Sequence, residues 1–219
     1  GMVADAMRYS LMAGGKRLRP LLVLASAEGV AQAVGTSEAA ARDAAMPAAC
    51  ALEMIHTYSL IHDDLPCMDD DDVRRGRPTV HRKHGVIAAT AAGVAMVPLA
   101  AQAAVEAARA LGLDEAAQGE IVRTLMQASG AGGMIGGQLL DLEAEGRSLD
   151  ATQLERVHRL KTGALIRASV RLGGLAAAAP APIMSALERY GDAVGLAFQI
   201  ADDVLDVTAT TVQLGKTAG

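Results

Sequence analysis

Aromatic residues are nearly absent from this chain of 219 residues, which contains one Phe, three Tyr and no Trp. Cysteine is equally scarce: Cys50 and Cys67 are too few for a disulfide framework or a zinc site, and they indicate two reduced thiols. Positive charge is not in excess, since the formal net charge is −5, which argues against a nucleic-acid partner. No basic region followed by an apolar run stands near the N-terminus, so we expect no signal peptide and a cytoplasmic location.

One long uncharged stretch, residues 85–105, has the length of a membrane span. It consists mostly of Ala and Gly, and it also contains Thr90, Pro98 and Gln102. Alanine contributes little to membrane insertion compared with Leu, Ile or Phe. The stretch therefore predicts a buried central helix and no membrane span.

Alanine dominates the hydrophobic residues, which make up 51% of the chain. It is the best helix former, so the composition predicts an all-α protein, and the length fits a single domain over residues 1–219. Asp150 is expected to cap a helix together with Gln153. Residues 31–38 and 67–84 are expected to be irregular. The predicted helices cover residues 4–13, 20–30, 39 or 47 to 65, 85–109, 115–130, 139–145, 151–160, 164–173 and 183–207.

Aspartates cluster at residues 63–72, directly after an apolar helical segment. Asp63 and Asp64 end that helix, and Pro66 is expected to turn the chain so that Asp69 folds back near them. Carboxylates this close repel one another strongly unless cations neutralise them. A solvated acidic loop is the alternative, but the apolar residues before Asp63 favour a metal site.

A second acidic cluster, Asp202, Asp203 and Asp206, follows apolar residues near the end of the chain. Asp202 and Asp206 are four residues apart and so share one face of a helix. Oxygen ligands without a group of His or Cys select a hard ion such as Mg²⁺. Two such clusters facing each other imply a diphosphate held between them.

Basic residues form separate segments at 14–20 (GGKRLRP) and 74–77 (RRGR), and Lys161 and Lys216 each stand at a predicted helix break. Each segment alone is typical of a solvated surface. Together they supply more positive charge than one diphosphate needs, which predicts two anionic substrates.

These motifs, with KTG at 161–163 and FQIADDVLD at 198–206, occur in the order and spacing of a known family. The sequence resembles the polyprenyl (isoprenyl diphosphate) synthases over about residues 8–216, and most of all the bacterial-type farnesyl and geranylgeranyl diphosphate synthases. The resemblance implies a helical bundle of the isoprenoid synthase type with a central cavity. It also implies Mg²⁺, a homodimer, and the substrates isopentenyl diphosphate and an allylic diphosphate, either dimethylallyl or geranyl.

The resemblance also implies roles for individual residues. The implied Mg²⁺ ligands are Asp63, Asp64, Asp69, Asp202, Asp203 and Asp206. The implied contacts of the allylic diphosphate are Arg74, Lys161 and Lys216, with Thr162 and Gln199 near the reacting atoms. The implied isopentenyl diphosphate site consists of Lys16, Arg19, His56 and Arg75.

The implied reaction is ionisation, condensation and elimination, with farnesyl diphosphate as the main product. Tyr58 and Ser59 lie five and four residues before Asp63, and a bulky Tyr58 at that depth would stop the growing chain. Geranylgeranyl diphosphate is the alternative product, and a non-catalytic subunit of a heteromeric synthase is the alternative role. A phosphohydrolase is disfavoured because it would need several His ligands, and the five histidines of this chain form no such set. A helical terpene cyclase is disfavoured because it lacks the basic isopentenyl-binding cluster that is present here.

Three features depart from the resembling family. Gly93-Val94 stands where relatives usually have Gly-Asp, and Ala201 stands where many carry Gln or Asp. Relatives begin with a further N-terminal helix and continue well past Gly219. We therefore expect the domain to lack that helix and the C-terminal helices.

Overall fold

The computed structural model of this chain describes residues 1–144, 146 and 148–208. For residues 202, 203 and 205–208 it describes the backbone alone. Helices account for nearly all of the regular structure, which confirms the all-α prediction.

Ten α-helices and one short hairpin follow one another along the described chain. The helices are α1 (Met2–Leu11), α2 (Leu18–Val34), α3 (Glu38–Asp63), α4 (Val80–His84), α5 (Val86–Ala110), α6 (Glu115–Ser129), α7 (Met134–Ala144), α8 (Ala151–His158), α9 (Ala164–Ala176) and α10 (Ala181–Thr208). Strands β1 (Val73–Arg74) and β2 (Arg77–Pro78) pair antiparallel between α3 and α4. One turn of π-helix, Arg159–Gly163, joins α8 to α9.

The helix boundaries follow local signals in several places. Asp150 caps α8 with the reciprocal bonds to Gln153 that the sequence predicts. Asp114 caps α6, accepting a hydrogen bond from the Ala117 N–H at 2.8 Å. The loop predicted over residues 31–38 is shorter in the structure and covers 35–37, because α2 continues to Val34 and α3 begins at Glu38, with Gly35 in the left-handed region between them.

The chain divides into two compact units. Of the described residues, the first unit contains Gly1–Arg17, Glu53–Ala100 and the end of α10 from Ala201, and the second contains Leu18–Leu52 and those within Ala101–Ile200. In the second unit, α2 and α9 pack closely, since a Cβ atom at Gly173 would lie within 2.8 Å of Ser26 Cβ. The fully buried side chains of the second unit include Val23, Leu52, Ile121, Leu125, Leu165, Ile166 and Leu172, and those of the first include Ile55, Ile61 and Met96.

Helix α5 coincides with the uncharged stretch and begins and ends within one residue of its predicted bounds. Its length and composition would suffice to cross a membrane, and 33% of its most apolar window is buried in the structure. The prediction of a buried helix is thus met only in part. Ile87 and Val94 remain exposed on it.

Candidate active site

The acidic segment after α3 folds back on the end of that helix. Helix α3 ends at Asp63, and the backbone N–H of Asp69 donates to the Asp63 carbonyl at 2.9 Å. Pro66 has no N–H and disfavours helical continuation, so the chain turns there. The backbone of Asp69 therefore lies beside Asp63, as the spacing predicts.

Asp64 is the buried carboxylate of this segment, with 2% of its surface exposed. Its Oδ1 accepts a hydrogen bond from Nε of Arg74 at 2.6 Å. Burial raises the pKa of Asp64 to about 6, although the charge of Arg74 and its hydrogen bond act in the opposite direction. A further cation near this carboxylate would favour its ionised form for the same reason that Arg74 does.

The chemistry of the donors in this segment suits a hard metal ion. Asp63, Asp64 and Asp69 offer only carboxylate oxygens, which Mg²⁺ prefers. In the part of the chain that the structure describes, no three His, Cys, Asp or Glu side chains are grouped as a ready-made ligand set. Asp64 forms an ion pair with Arg74. The donor type fits Mg²⁺, and the roles of the three aspartates as ligands stay predictions.

The hairpin after the acidic segment separates its two arginines. Arg74 lies on β1, while Arg75 and Gly76 form the turn with φ angles of 53° and 72°. The Arg75 guanidinium donates to the Gly14 carbonyl. It also lies against Gly15, where a Cβ atom would come within 2.5 Å of its Cζ. The two glycines thus leave room for an arginine, which joins two of the predicted basic segments.

The basic segment 14–20 also contains an ion pair that no sequence motif predicts. The Arg17 guanidinium donates to the Glu53 carboxylate and to the carbonyl of Leu11. Glu53 is buried, with 8% of its surface exposed. Its signal in the sequence is a single acid within an apolar helix, three residues before His56. Lys16, the neighbour of Arg17, is exposed, and His56 is half-buried.

Tyr58 lies in the core of the first unit, with 6% of its surface exposed. Its ring packs edge-on against His62 at 5.7 Å between centroids, and its buried hydroxyl has no hydrogen-bond partner among the described residues. Burial, with the charge of Asp63, raises the pKa of Tyr58 to about 12. Ser59 is half-buried and donates to the His56 carbonyl at 2.8 Å. The predicted role of both residues in product length is not tested by these contacts.

In the second unit, Lys161 and Thr162 lie within the π-helical turn. The Lys161 ammonium donates to the Asp141 carboxylate on α7. A Cβ atom at Gly137 would come within 2.6 Å of the Lys161 Cα, so the backbones of α7 and the turn touch. Such turns often mark functional sites. The sequence predicts a break at residues 161–163, but it predicts neither the π-helical form nor the partner Asp141.

The remaining predicted site residues of the second unit are Arg19 and Gln199. Arg19 lies at the start of α2 and Gln199 lies on α10, and both are half-buried. Helix α10 continues through Thr208, so the backbones of Asp202 and Asp206 lie one turn apart on it. The side chains of Asp202, Asp203 and Asp206 lie outside the described residues, and so does Lys216.

A cavity of about 450 Å³ lies among α6, α9, α10 and the π-helical turn of the second unit. Charged side chains line it: Arg171 donates to Glu120 at 3.0 Å and to Glu188, while Arg167 pairs with Asp192 at 3.4 Å. The ion pairs stabilise the packing of three helices.

Comparison with known proteins identifies the family. The family model for polyprenyl synthetase matches residues 1–219. The chain belongs to the polyprenyl synthetase family. The resemblance that the motifs indicated is therefore confirmed.

Two curated relatives in this family differ in their products. The farnesyl diphosphate synthase of Escherichia coli is 47% identical, and the match covers 99% of the chain and 70% of that relative. The heterodimeric geranylgeranyl pyrophosphate synthase large subunit 1, chloroplastic, of Arabidopsis thaliana is 44% identical, with 99% of the chain and 57% of that relative covered. The chain spans 57 to 70% of the length of the curated relatives that it matches.

A solved member of the family has the same fold. The geranyltransferase from Helicobacter pylori, complexed with magnesium and isoprenyl diphosphate, superposes with a TM-score of 0.83 at 32% identity. The superposition covers 99% of this chain and 70% of that one. The all-α architecture of the polyprenyl synthetase family is thus present throughout the described chain.

Proposed function

We propose that this chain is a trans-prenyltransferase that joins isopentenyl diphosphate to an allylic diphosphate and releases diphosphate. The observation that carries the proposal is the grouping of opposite charges in the first unit. There Asp64 and Asp71, which follow α3, lie beside Arg74, and Arg75 reaches the Gly14-Gly15 loop. Carboxylates that hold a cation and guanidiniums that hold phosphate oxygens are the two components that binding a metal diphosphate requires.

The metal and the substrates are assigned to the predicted residues. Mg²⁺ would be held by the aspartates of both motifs, and when bound it would offset the negative charge of the departing diphosphate. The assigned ligands are Asp63, Asp64, Asp69, Asp202, Asp203 and Asp206. Arg74, Lys161 and Lys216 bind the allylic diphosphate in this proposal, and Lys16, Arg19, His56 and Arg75 bind isopentenyl diphosphate.

The proposed chemistry requires charge stabilisation more than proton transfer by a side chain. The allylic C–O bond breaks, and the diphosphate leaves with the electron pair while fixed cations stabilise its charge. The isopentenyl double bond attacks the allylic cation and forms the new C–C bond. A proton then leaves the condensed product, and the released diphosphate is the base. Thr162 and Gln199 lie near the reacting atoms in this proposal.

Farnesyl diphosphate is the proposed main product. Support comes from Tyr58, whose ring is buried five residues before Asp63 on the same helix. Relatives that make farnesyl and geranylgeranyl diphosphates match the chain at similar identity, so geranylgeranyl diphosphate is the second candidate. A cytoplasmic homodimer is part of the proposal.

A non-catalytic subunit of a heteromeric synthase is the second candidate role. The observation behind this candidate is the likeness to the large subunit of a heterodimeric synthase, which favours a heteromeric assembly and does not say which subunit catalyses. The chain retains every aspartate of both motifs, which favours a catalytic role. Turnover by the purified chain alone would exclude the second role.

The test is incubation of the purified chain with labelled isopentenyl diphosphate and each allylic starter, followed by sizing of the products. We expect Mg²⁺-dependent formation of a fifteen-carbon product that chelation with EDTA abolishes. Replacing Asp63 or Asp202 with Ala should lower turnover by several orders of magnitude, because each removes a group that stabilises transition-state charge. Asp43→Ala, on an exposed part of α3, is the control. Near wild-type turnover by Asp202→Ala would exclude the two-site metal model.

A further inference from the structure

The loop between α1 and α2, residues 12–17, has an unfavourable backbone. Gly14, Gly15 and Arg17 have φ angles of 87°, 114° and 52°. Glycine adopts such angles readily, but a side chain at Arg17 makes the left-handed region costly. A non-glycine residue remains there only when its surroundings fix it. The contacts of this loop therefore identify the groups that hold it in this conformation.

The Arg17 side chain provides one of these contacts. Its guanidinium closes the loop by donating to the carbonyl of Leu11, the last residue of α1. It also donates to Glu53 on α3, which is buried. Arg17 thus joins the loop to two helices of the first unit, and a buried carboxylate at Glu53 keeps a partner for its charge.

The second contact is the Arg75 guanidinium, which donates to the Gly14 carbonyl and lies over Gly15. Burial lowers the pKa of Arg75, the charge of Glu53 raises it, and the charge of Arg17 lowers it. Arg17 and Arg75 therefore lie close enough to repel each other, and Glu53 is the anion close to both. Without Glu53, Arg17 would lose the buried carboxylate that its guanidinium contacts, and Asp64 would be the remaining anion acting on Arg75.

We propose that Glu53 is a positioning residue for the isopentenyl diphosphate site, because it holds in place, through Arg17, the loop that carries Lys16. The inference rests on the proposed function, in which Lys16, His56 and Arg75 bind that substrate. Glu53 precedes His56 by three residues on α3, so both lie on neighbouring positions of one helix face. Its carboxylate would repel a diphosphate, so it acts through Arg17 and Arg75.

The kinetic test uses Glu53→Gln, which keeps the shape of the side chain and removes its charge. We expect the KM for isopentenyl diphosphate to rise between about ten- and a hundredfold, since a small displacement of binding groups has effects of that size. The KM for the allylic diphosphate and kcat should change by less than about twofold, because loop 12–17 serves only the other substrate. Glu28→Gln is the matched control, since Glu28 bonds Arg42 at 2.9 Å in an exposed ion pair.

A second readout does not depend on turnover. Hydrogen exchange at the Ala13 amide of the loop, which donates to the Ser10 carbonyl at 3.1 Å, should become about tenfold faster in Glu53→Gln, while the amides of α6 and the Glu28→Gln variant should not change. Unchanged exchange in the loop would overturn the inference. An equal rise in both KM values would overturn it as well, because it would indicate a general loss of structure. If the wild-type chain shows no turnover while the loop responds as expected, the proposed function fails and the control of the loop by Glu53 stands.

Discussion

At the scale of single residues, Asp64 is a buried acid whose ionisation opposes folding. Its pKa rises from 3.8 to about 6 in the folded chain, chiefly through burial. Between these values the folded state binds more protons than the unfolded state, so stability falls as pH rises from about 4 to 6. A rise in pKa of this size corresponds to roughly 3 kcal/mol. Above about pH 6 the free energy of unfolding has fallen by this full amount.

We therefore expect Asp64→Asn to flatten the dependence of unfolding free energy on pH between 4 and 7. The measurement is urea unfolding in EDTA at several pH values, because a bound cation would stabilise the ionised carboxylate. Asp43→Asn, an exposed residue, is the control. Parallel curves for the wild-type and Asp64→Asn chains would show that Asp64 titrates with an ordinary pKa.

Tyr58 gives a second prediction at this scale. Its ring fills a buried position near the acidic segment, so Tyr58→Ala should lengthen the product by opening space for further isoprene units. Tyr58→Phe keeps the ring and should leave product length unchanged. It should also stabilise the fold by about 1–3 kcal/mol, because the buried hydroxyl lacks a partner among the described residues.

Chromatographic sizing of labelled products and urea unfolding of the three chains measure both effects. Unchanged product length in Tyr58→Ala would show that other residues stop the growing chain. Lower stability of Tyr58→Phe would show that the hydroxyl has a partner after all.

The sequence indicates candidate residues for the site, and their roles stay predictions, but it does not reveal most of their contacts. Pairs of aspartates, the glycines of residues 14–15 and the arginines of the hairpin follow recognisable motifs. The partners Glu53 and Asp141 carry no motif, because each is a single acid whose importance depends on which cation the fold brings to it. Charge pairing across distant segments is a tertiary property.

At the scale of elements, the sequence predicted helix ends where a side chain or ring acts locally. Asp150 with Gln153 marked the start of α8, and Pro66 ended the helical run before the acidic segment. Of the two starts predicted for α3, residue 39 lies within one residue of the observed start at Glu38, whereas Pro47 lies inside the helix. Tertiary packing holds a helix together through a proline, and local preference alone does not reveal this.

Two glycines test how closely elements pack. Gly137 faces the backbone of Lys161, and backbone atoms cannot move aside cheaply. Gly137→Ala should therefore lower stability by about 1–3 kcal/mol, as overpacking does, and should weaken binding of the allylic diphosphate by displacing the π-helical turn. Gly119→Ala, in open space within α6, should raise stability by about 0.5–1 kcal/mol.

Thermal or urea unfolding of the two alanine variants, with the KM for each substrate, provides the comparison. A stable Gly137→Ala chain with unchanged KM values would show that α7 and the turn can separate without loss. That result would show that the ion pair with Asp141 is not needed to hold Lys161 in place.

At the scale of the whole molecule, the net charge does not show that acidic and basic residues lie in separate segments of the sequence. The aspartates after α3 and those on α10 lie in sequence segments far apart, and the basic residues belong to other segments again. A diphosphate with its metal ions carries both signs of charge, so a site for it needs both kinds of segment. A net charge of −5 reveals nothing of this arrangement, whereas the order of motifs along the chain does.

The last prediction concerns association of two chains. Ile87 and Val94 lie seven residues apart on one face of α5 and are 87% and 59% exposed. Their neighbours are mostly Ala and Gly, which allow a second helix to approach closely. We expect a homodimer that buries the apolar faces around residues 85–130, since an uncovered apolar face is unfavourable in water.

Light scattering at tens of micromolar should give twice the mass of the chain. Ile87→Glu should give the monomer, because a charge would then be buried without a partner. Leu21→Glu, at an exposed position on α2, should remain a dimer. A wild-type chain that is monomeric at this concentration would contradict the prediction.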